Sequence, residues 1–512
     1  MKNLDVLLIN PGNTISVYQQ LSIEFSAIEP PIFCGLFASY LRKKGCSVKI
    51  LDIPAQNLTP TQVADAVREL RPTLITMVVY GFQPSASTQS MHSASEVCKE
   101  IKAVNPKSKI LITGTHPAAL PERTLREEAV DFVCTREGPL TIWGLVETLK
   151  TYGTDLSKVP NLCYFDNDQV RFTKNAELIN DLDEAMPGMA WDLLPMDKYR
   201  AHNWHCFDDI NRRMPYASIH TSLGCPYKCS FCCINTPFSG PNYSMSTPTY
   251  RMWTPENVVN EIGFLVEKYG IRNIKIADEM FVLNPTHVLG VCEKLIERDY
   301  DLNIWAYTRI DTTRDEFLEK LRKAGFRWLA IGIESGSKHV REGSNKKFKN
   351  DGKNLLNVNK NVIEVVKKIQ NAGIYAICNY IFGMPDDTRE TMQETLDLSL
   401  EINSEFANFY SAMAYPGSPL YELAKQKRFS LPDDPSGPGW IGYAQHAYET
   451  LPLPTDNVSA EDVLRFRDEA FLKYFTNPEY LNMMLAKFGN KAVEHIQEMT
   501  SVPRLKRKIL GD

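Results

Sequence analysis

Apolar runs too short to be helices recur through two stretches of this chain, and the segments between them have helical periodicity. In the first 150 residues the runs lie at 6–9, 48–51, 74–79, 110–112 and 132–133, with helix-like stretches such as 31–44 and 86–104 between them. The alternation resumes at 217–223, 274–277, 304–308, 328–333, 375–381 and 406–413. Val258, Val259, Ile262, Leu265 and Val266 make a helical stripe in one intervening segment, and 316–323 and 362–369 read as further helices. Strands apolar on both faces that alternate with helices imply a parallel sheet covered on both sides.

The fold class is therefore α/β. Residues 1–150 are expected to form a doubly wound, flavodoxin-like (Rossmann-like) domain with its ligand at the carboxyl ends of the strands. No G-x-G-x-x-G follows the first strand, so a dinucleotide is not favoured. Residues 151–215 read as a connector, broken by Pro187, Gly188 and Pro195 and anchored by Trp191, Leu193 and Leu194. Six further units, two short of a closed eightfold barrel, predict a partial (β/α)6 TIM barrel over 216–425 with an open side. In residues 426–512, five prolines precede a helix at about 461–475, which predicts a small, mostly helical C-terminal region.

A net charge of −5 over 512 residues leaves no general footprint for nucleic acid. The basic run Arg504-Leu505-Lys506-Arg507-Lys508 reads as a solvated tail. Twelve cysteines in this length are not a disulfide scaffold, and Cys34, Cys98, Cys292 and Cys378 sit in apolar runs as small hydrophobes. The first apolar run is too short for a signal peptide and none reaches the ~18 residues of a membrane span. A cytoplasmic location with no membrane partner is expected.

One loop carries chemistry. Cys225-Pro226-Tyr227-Lys228-Cys229-Ser230-Phe231-Cys232 sets three cysteines at C-x3-C-x2-C directly after the first barrel strand. A four-iron cube normally takes four thiolates, so three leave one iron open to a small molecule. Zinc sites more often pair C-x2-C groups or Cys with His, and no second pair is evident. Polar sequences end the other barrel strands: Asp278-Glu279, Arg309, Glu334-Ser335, Gly383-Met384-Pro385 and Tyr415-Pro416-Gly417. Their order, each after its own strand around the cysteine loop, is far more specific than any one of them.

In these features the chain resembles the radical S-adenosylmethionine (SAM) superfamily. The resemblance implies a [4Fe–4S] cluster on Cys225, Cys229 and Cys232, whose open iron chelates SAM. Reductive cleavage of SAM would then give a radical that abstracts a substrate hydrogen. Asp278 and Glu279 stand where the family holds the methionine ammonium. Glu334 and Ser335 resemble its strand-four polar pair, and Arg309 is placed to meet the SAM carboxylate. A barrel-rim ion pair is the structural alternative for Glu334 and Arg309.

A parallel α/β domain before such a barrel resembles the cobalamin-binding (B12) group of the superfamily. Asn10-Pro11, Glu29-Pro30-Pro31, Gly114-Thr115-His116-Pro117 and Trp191-Asp192-Leu193-Leu194 match that group's pattern. The strand-end loops Asn10-Pro11, Gly114-Thr115-His116 and Glu137-Gly138 are the candidate cobalamin contacts. The D-x-H-x-x-G motif that supplies a lower axial histidine is missing, and His116 follows the wrong strand. The implied cobalamin is base-off.

The expected function is a cobalamin-dependent methyltransferase of the class B type, acting on an unactivated carbon or phosphorus of a small molecule. An electron donor such as flavodoxin or ferredoxin is the expected partner. The alternatives are cyclisation, ring contraction or oxidation with the same cofactors, or a non-catalytic cluster- or corrinoid-binding module. A tRNA-modifying enzyme is disfavoured by the charge. Cys378, Asn379, Tyr380 and Tyr410 are candidates to face the barrel lumen, with core packing favoured for Cys378 and Tyr380, and Cys233 reads as structural. His202, His205 and Cys206 precede the barrel as loop residues.

Overall fold

A computed structural model describes residues 4–12, 14–21, 25–83, 85–151, 155–239, 249–346, 348, 358–502 and 505–512. Two sheets organise the chain. The first runs in the order β2-β1-β3-β4-β5-β6-β7. Its parallel strands are β1 (Val6–Asn10), β2 (Val48–Asp52), β3 (Leu74–Val78), β4 (Ile110–Thr113) and β5 (Phe132–Cys134). Alternation along β1 shows why its run is apolar throughout. Val6 and Leu8 enter the core on one face, and Leu7 and Ile9 a separate core on the other. The order reverses at β1, so the carboxyl ends of β1 and β3 flank a switch point.

The sheet continues beyond residue 150. An antiparallel hairpin, β6 (Leu162–Asp166) and β7 (Gln169–Phe172), adds to β5 within the segment expected to be a connector. The outer faces of β6 and β7 are largely exposed, so neither gives the two-sided apolar pattern that marked the other strands. Trp191 does anchor the connector: it is buried and donates from its indole to Glu261 at 2.9 Å.

The second sheet has six parallel strands: β8 (Tyr216–Ile219), β11 (Asn273–Ile276), β12 (Asn303–Thr308), β13 (Phe326–Glu334), β14 (Tyr375–Phe382) and β15 (Phe406–Ser411). A two-residue ladder, β9 (Ser222–Leu223) with β10 (Arg251–Met252), braces the cysteine loop. The spatial order of the six strands follows the sequence, leaving β8 and β15 as edges of an open barrel. Helices start where their caps dictate. Thr254, Asn284 and Ser418 each accept a first-turn backbone N–H with their side chain.

The C-terminal region carries three helices, Ala460–Phe475, Pro478–Phe488 and Asn490–Ser501, the first of which lies against β15. The expected solvated tail is a correction: Arg507 is fully buried and donates to the His446 carbonyl at 3.2 Å. Arg504 lies outside the described residues.

Candidate active site

The cysteine loop is built to hold its shape. Gly224 has φ +86°, and a Cβ there would collide with the Thr249 carbonyl. Asn235 clamps Cys225 on both sides, its Oδ1 accepting from the Cys225 N–H at 3.1 Å and its Nδ2 donating to the Cys225 carbonyl at 2.7 Å. Ser230 N–H donates to the Ser344 carbonyl, and Leu420 N–H to the Ser230 carbonyl, so the loop is tied to neighbouring rim segments.

The chemistry of the three sulfurs fits an iron–sulfur cube. Burial raises the Cys225 thiol to about 12, with Glu279 and Cys229 adding to the effect. Burial likewise raises Cys232, with neighbouring Cys233, Glu279, Cys225 and Cys229 contributing. These thiols share one site too apolar for bare thiolates, a conflict that cationic iron resolves. Among the described residues no three His, Cys, Asp or Glu side chains are grouped for a metal ion. A cube differs from a single ion in spreading its protein sulfurs over separate irons.

The strand-end residues divide into those that face the cavity and those that do not. Glu279 lines it, and burial lifts its carboxyl to about 7. Arg309 lines it, stacks 4.0 Å above the Tyr227 ring and is paired with the buried Asp311 at 2.9 Å. Glu334 lines it from a register break in β13, at φ +68°, and is paired with Lys346. A non-glycine residue held there is strained, as happens at functional sites.

Asp278 and Ser335 turn their side chains elsewhere. Asp278 is fully buried and turned to the loop after β8, taking the Thr221 N–H and hydroxyl at 2.6 Å and the Ser222 hydroxyl at 2.7 Å. Burial opposes its charge, but nearby His220 and the bonds from Thr221 and Ser222 outweigh it and hold the carboxyl below its ordinary value. Ser335 is spent on the Ser337 N–H and the Thr395 hydroxyl. Neither side chain lines the cavity, because the backbone turns needed at these strand ends consume them.

The N-terminal loops behave similarly. Asn10 lines a cavity of about 70 Å³ at the carboxyl ends of β1 and β3, donating to Asp52 at 2.8 Å. The Pro11 carbonyl accepts from Ser93. Thr115 lines a smaller cavity against the cysteine loop, beside Phe33 and Tyr80. Gly114 lies flush against the Val79 carbonyl, where a Cβ would come within 2.5 Å. Gly138, at φ +109°, packs under Phe37. Glu137 turns away to pair with Arg251 of β10 at 3.0 Å, a bridge from the first domain to the ladder beside the cysteine loop. His116 is buried, bonded to Thr88 at 3.2 Å and packed edge-on against Trp440 at 4.3 Å, and burial lowers it to about 3. Its Nε2 has no hydrogen-bond partner among the described residues, and His116 lines none of these cavities. The set fits a corrinoid held by backbone loops without a protein imidazole on the metal.

These parts meet in one chamber of about 510 Å³. The three cysteines, Glu279, Arg309 and Glu334 line one side, and Tyr18, Glu29, Phe82 and Gln89 of the first domain line another. Tyr18, Glu29, Phe82 and Gln89 also border the 70 Å³ cavity, so the two spaces adjoin. Asn379, Asn408 and Tyr410 line the barrel side, whereas Cys378 and Tyr380 are fully buried in the core. His202 borders the chamber; His205 is bonded to the Asn303 carbonyl at 2.9 Å and Cys206 is buried. Lys275, Lys346, His446 and Arg467 also line the chamber, and sequence reasoning missed all four. A lysine inside β11 was the one available signal, since a two-sided buried strand has no solvent-facing position for it.

Comparison with known proteins places this geometry. Residues 219–399 match the model of the radical SAM superfamily, and residues 21–146 that of the B12 binding domain. An uncharacterized methyltransferase of Pyrococcus horikoshii is 27% identical over 482 residues, covering 94% of each chain. The anaerobic magnesium-protoporphyrin IX monomethyl ester cyclase of Rubrivivax gelatinosus is 26% identical, over 81% of this chain and 69% of its own. The radical SAM methyltransferase TsrM of Kitasatospora setae, solved with tryptophan and a SAM analogue, superposes with a TM-score of 0.66 at 18% identity. That match covers 96% of this chain and 98% of the solved one, a likeness of fold.

Proposed function

This chain belongs to the radical SAM enzymes that carry a B12 binding domain, and from that premise we propose that it methylates an unactivated carbon or phosphorus of a small molecule held in the inter-domain chamber. The observation that carries the reading is the chamber itself, bordered at once by the cluster cysteines and by the switch-point loops of the first sheet. When bound, the cluster with SAM supplies a hydrogen-abstracting radical, and cobalamin supplies a methyl group.

The protein's own residues do the rest. Cys225, Cys229 and Cys232 are the ligands for the cluster, in the loop that Asn235 and Gly224 shape. Arg309 presents a guanidinium held by Asp311 and Tyr227, fit to meet a SAM carboxylate. Glu279, beside the cysteines, is an acceptor for the SAM ammonium. Asn10 and Gly81 line the 70 Å³ cavity beside which the corrinoid would sit, and His116, packed against Trp440, would not reach its metal. Phe25, Trp204, Trp305 and Phe406 wall the chamber against water, which protects a reactive intermediate. Electrons would come from a flavodoxin or ferredoxin.

Anaerobic reconstitution with iron, sulfide, cobalamin, SAM, reductant and substrate tests the proposal. Methylation gives both 5′-deoxyadenosine and S-adenosylhomocysteine, and a product heavier by one methylene unit. If 5′-deoxyadenosine alone forms with the true substrate, methylation is wrong. The cyclase relative supports a second reading, ring formation, which the product mass separates.

A further inference from the structure

Four lysine or arginine side chains line the chamber among the described residues, and three of them already face a buried carboxylate. Lys275 is paired with Glu29, Lys346 with Glu334 and Arg309 with Asp311, counter-carboxylates only 2–10% exposed. Arg467 differs. It projects from the C-terminal helix Ala460–Phe475 and is 9% exposed. Its Nε donates to the Phe409 carbonyl at 2.8 Å and its Nη1 to Asp468 at 2.9 Å. Asp468 is its neighbour in sequence and 22% exposed, so solvent shares that charge. Nη2 makes no hydrogen bond to another described residue.

Unpartnered neutral polar groups border the same end of the chamber. Among the described residues the Ser411 hydroxyl oxygen is buried without a hydrogen-bond partner, as is Nδ1 of His446. The Tyr410 hydroxyl has no hydrogen bond among the described residues, and its ring is open to the space. Buried polar atoms without partners call for an explanation, and a ligand is one. Phe406, Phe409, Phe471 and Met499 supply an apolar wall beside them.

Building on the chamber reading above, we propose that the substrate has an apolar body and one anionic oxyacid group, which the Arg467 guanidinium receives at the C-terminal end of the chamber. Tyr410 of β15 supplies a neutral donor. The C-terminal region then selects the substrate, while the two larger domains carry the reagents.

The test needs no turnover. Naphthalene-2-acetate and naphthalene-2-acetamide share a body and differ in charge. Each is titrated calorimetrically into holoenzyme saturated with SAM and cobalamin. The carboxylate is expected to bind about tenfold or more tightly than the amide, the margin of a charge-assisted hydrogen bond. Arg467→Gln should erase that preference and Arg467→Lys should keep part of it, with carboxylate binding falling far more than amide binding in both. Equal binding of the probes to wild type, or a preference that survives Arg467→Gln, overturns the proposal. So does a loss of SAM affinity without loss of probe affinity, which would make SAM's own carboxylate the anion. The wild-type comparison stands even if the variants misfold. Wild type that cleaves SAM without favouring the carboxylate defeats this inference alone; a preference with no methylated product defeats only the methylation reading.

Discussion

Lys275 and Glu29 form a strongly buried ion pair that crosses from the first domain to the barrel at the chamber wall, 3% and 4% exposed. The Lys275 ammonium gives two bonds to Glu29, at 3.0 and 3.1 Å, and a third to the Phe82 carbonyl at 3.1 Å, with Trp305 beneath it at 5.1 Å. Lys275→Met would leave the Glu29 carboxylate buried with the Ser218 hydroxyl as its remaining close donor. Removing one member of such a pair costs about 3–5 kcal/mol, because the survivor stays desolvated. At the 2–4 °C per kcal/mol typical of units of 150–250 residues, the first calorimetric transition should fall by roughly 6–20 °C. The double variant Glu29→Gln/Lys275→Met removes both charges and should recover part of that loss, a coupling of about 0.5–3 kcal/mol. The fall should persist at high salt, since a buried pair is poorly screened. Because Lys275 also pins the Phe82 loop beside the 70 Å³ cavity, cobalt retained per chain should drop in the single variant. Single-variant costs below about 1 kcal/mol, or two costs that simply add, would refute the reasoning.

Three further outcomes are expected. Cys229→Ala should lower iron per reconstituted chain and abolish SAM cleavage; normal iron content in a cleavage-competent variant would remove Cys229 from the cluster. His116→Ala should leave the absorption spectrum of bound cobalamin unchanged, because the imidazole is packed against Trp440 and bonded to Thr88, and a shifted cobalt spectrum would show that it reaches the metal. Burial raises Asp52 from 3.8 to about 6, against bonds from Asn10 and Tyr199, so the folded chain binds more protons than the unfolded chain in that window. Stability should therefore fall as pH rises from about 4 to about 6, by up to about 3 kcal/mol from this group, and Asp52→Asn should flatten the slope in urea titrations.

Where each residue's environment is set by its own neighbours in sequence, the sequence could be read. The five parallel strands of the first sheet and the six of the barrel announce themselves because both faces of each are buried. The hairpin β6–β7 escaped notice, since it lies at a sheet edge and its exposed faces carry Phe165 and Phe172 among polar residues. The cysteine loop was legible because ligand spacing is local. Asp278 and Glu279 show the limit: adjacent carboxylates point in opposite directions, one bracing the loop after β8 and the other facing the chamber. Only the register of the strand end decides which does which. Arg467 and His446 had no local signal at all, for they reach the chamber through the packing of a distant helix and loop.

That packing answers the problem an open barrel poses. Edge strand β15 presents backbone groups that no further strand takes up, and a bare edge invites aberrant pairing. Here C-terminal side chains replace the missing strand. The Phe409 carbonyl accepts from Arg467 Nε at 2.8 Å and from Gln445 Nε2 at 3.2 Å, and the Ser411 N–H donates to Gln445 Oε1 at 2.6 Å. Just before the strand, the Tyr474 and Tyr480 hydroxyls donate to the carbonyls of Ser404 and Glu405. A seventh strand would satisfy the same groups but extend the wall. Side-chain caps satisfy them point by point and leave the lumen continuous with the chamber. Gln445→Leu tests this directly. It keeps the volume roughly constant, leaves the Phe409 carbonyl its bond from Arg467, and orphans the buried Ser411 N–H, at a cost of about 1–3 kcal/mol. Hydrogen exchange at Ser411 should quicken while exchange in β13, two strands away, stays slow. Unchanged protection at Ser411, with stability within about 0.5 kcal/mol of wild type, would mean that the C-terminal region merely rests on the edge rather than completing it.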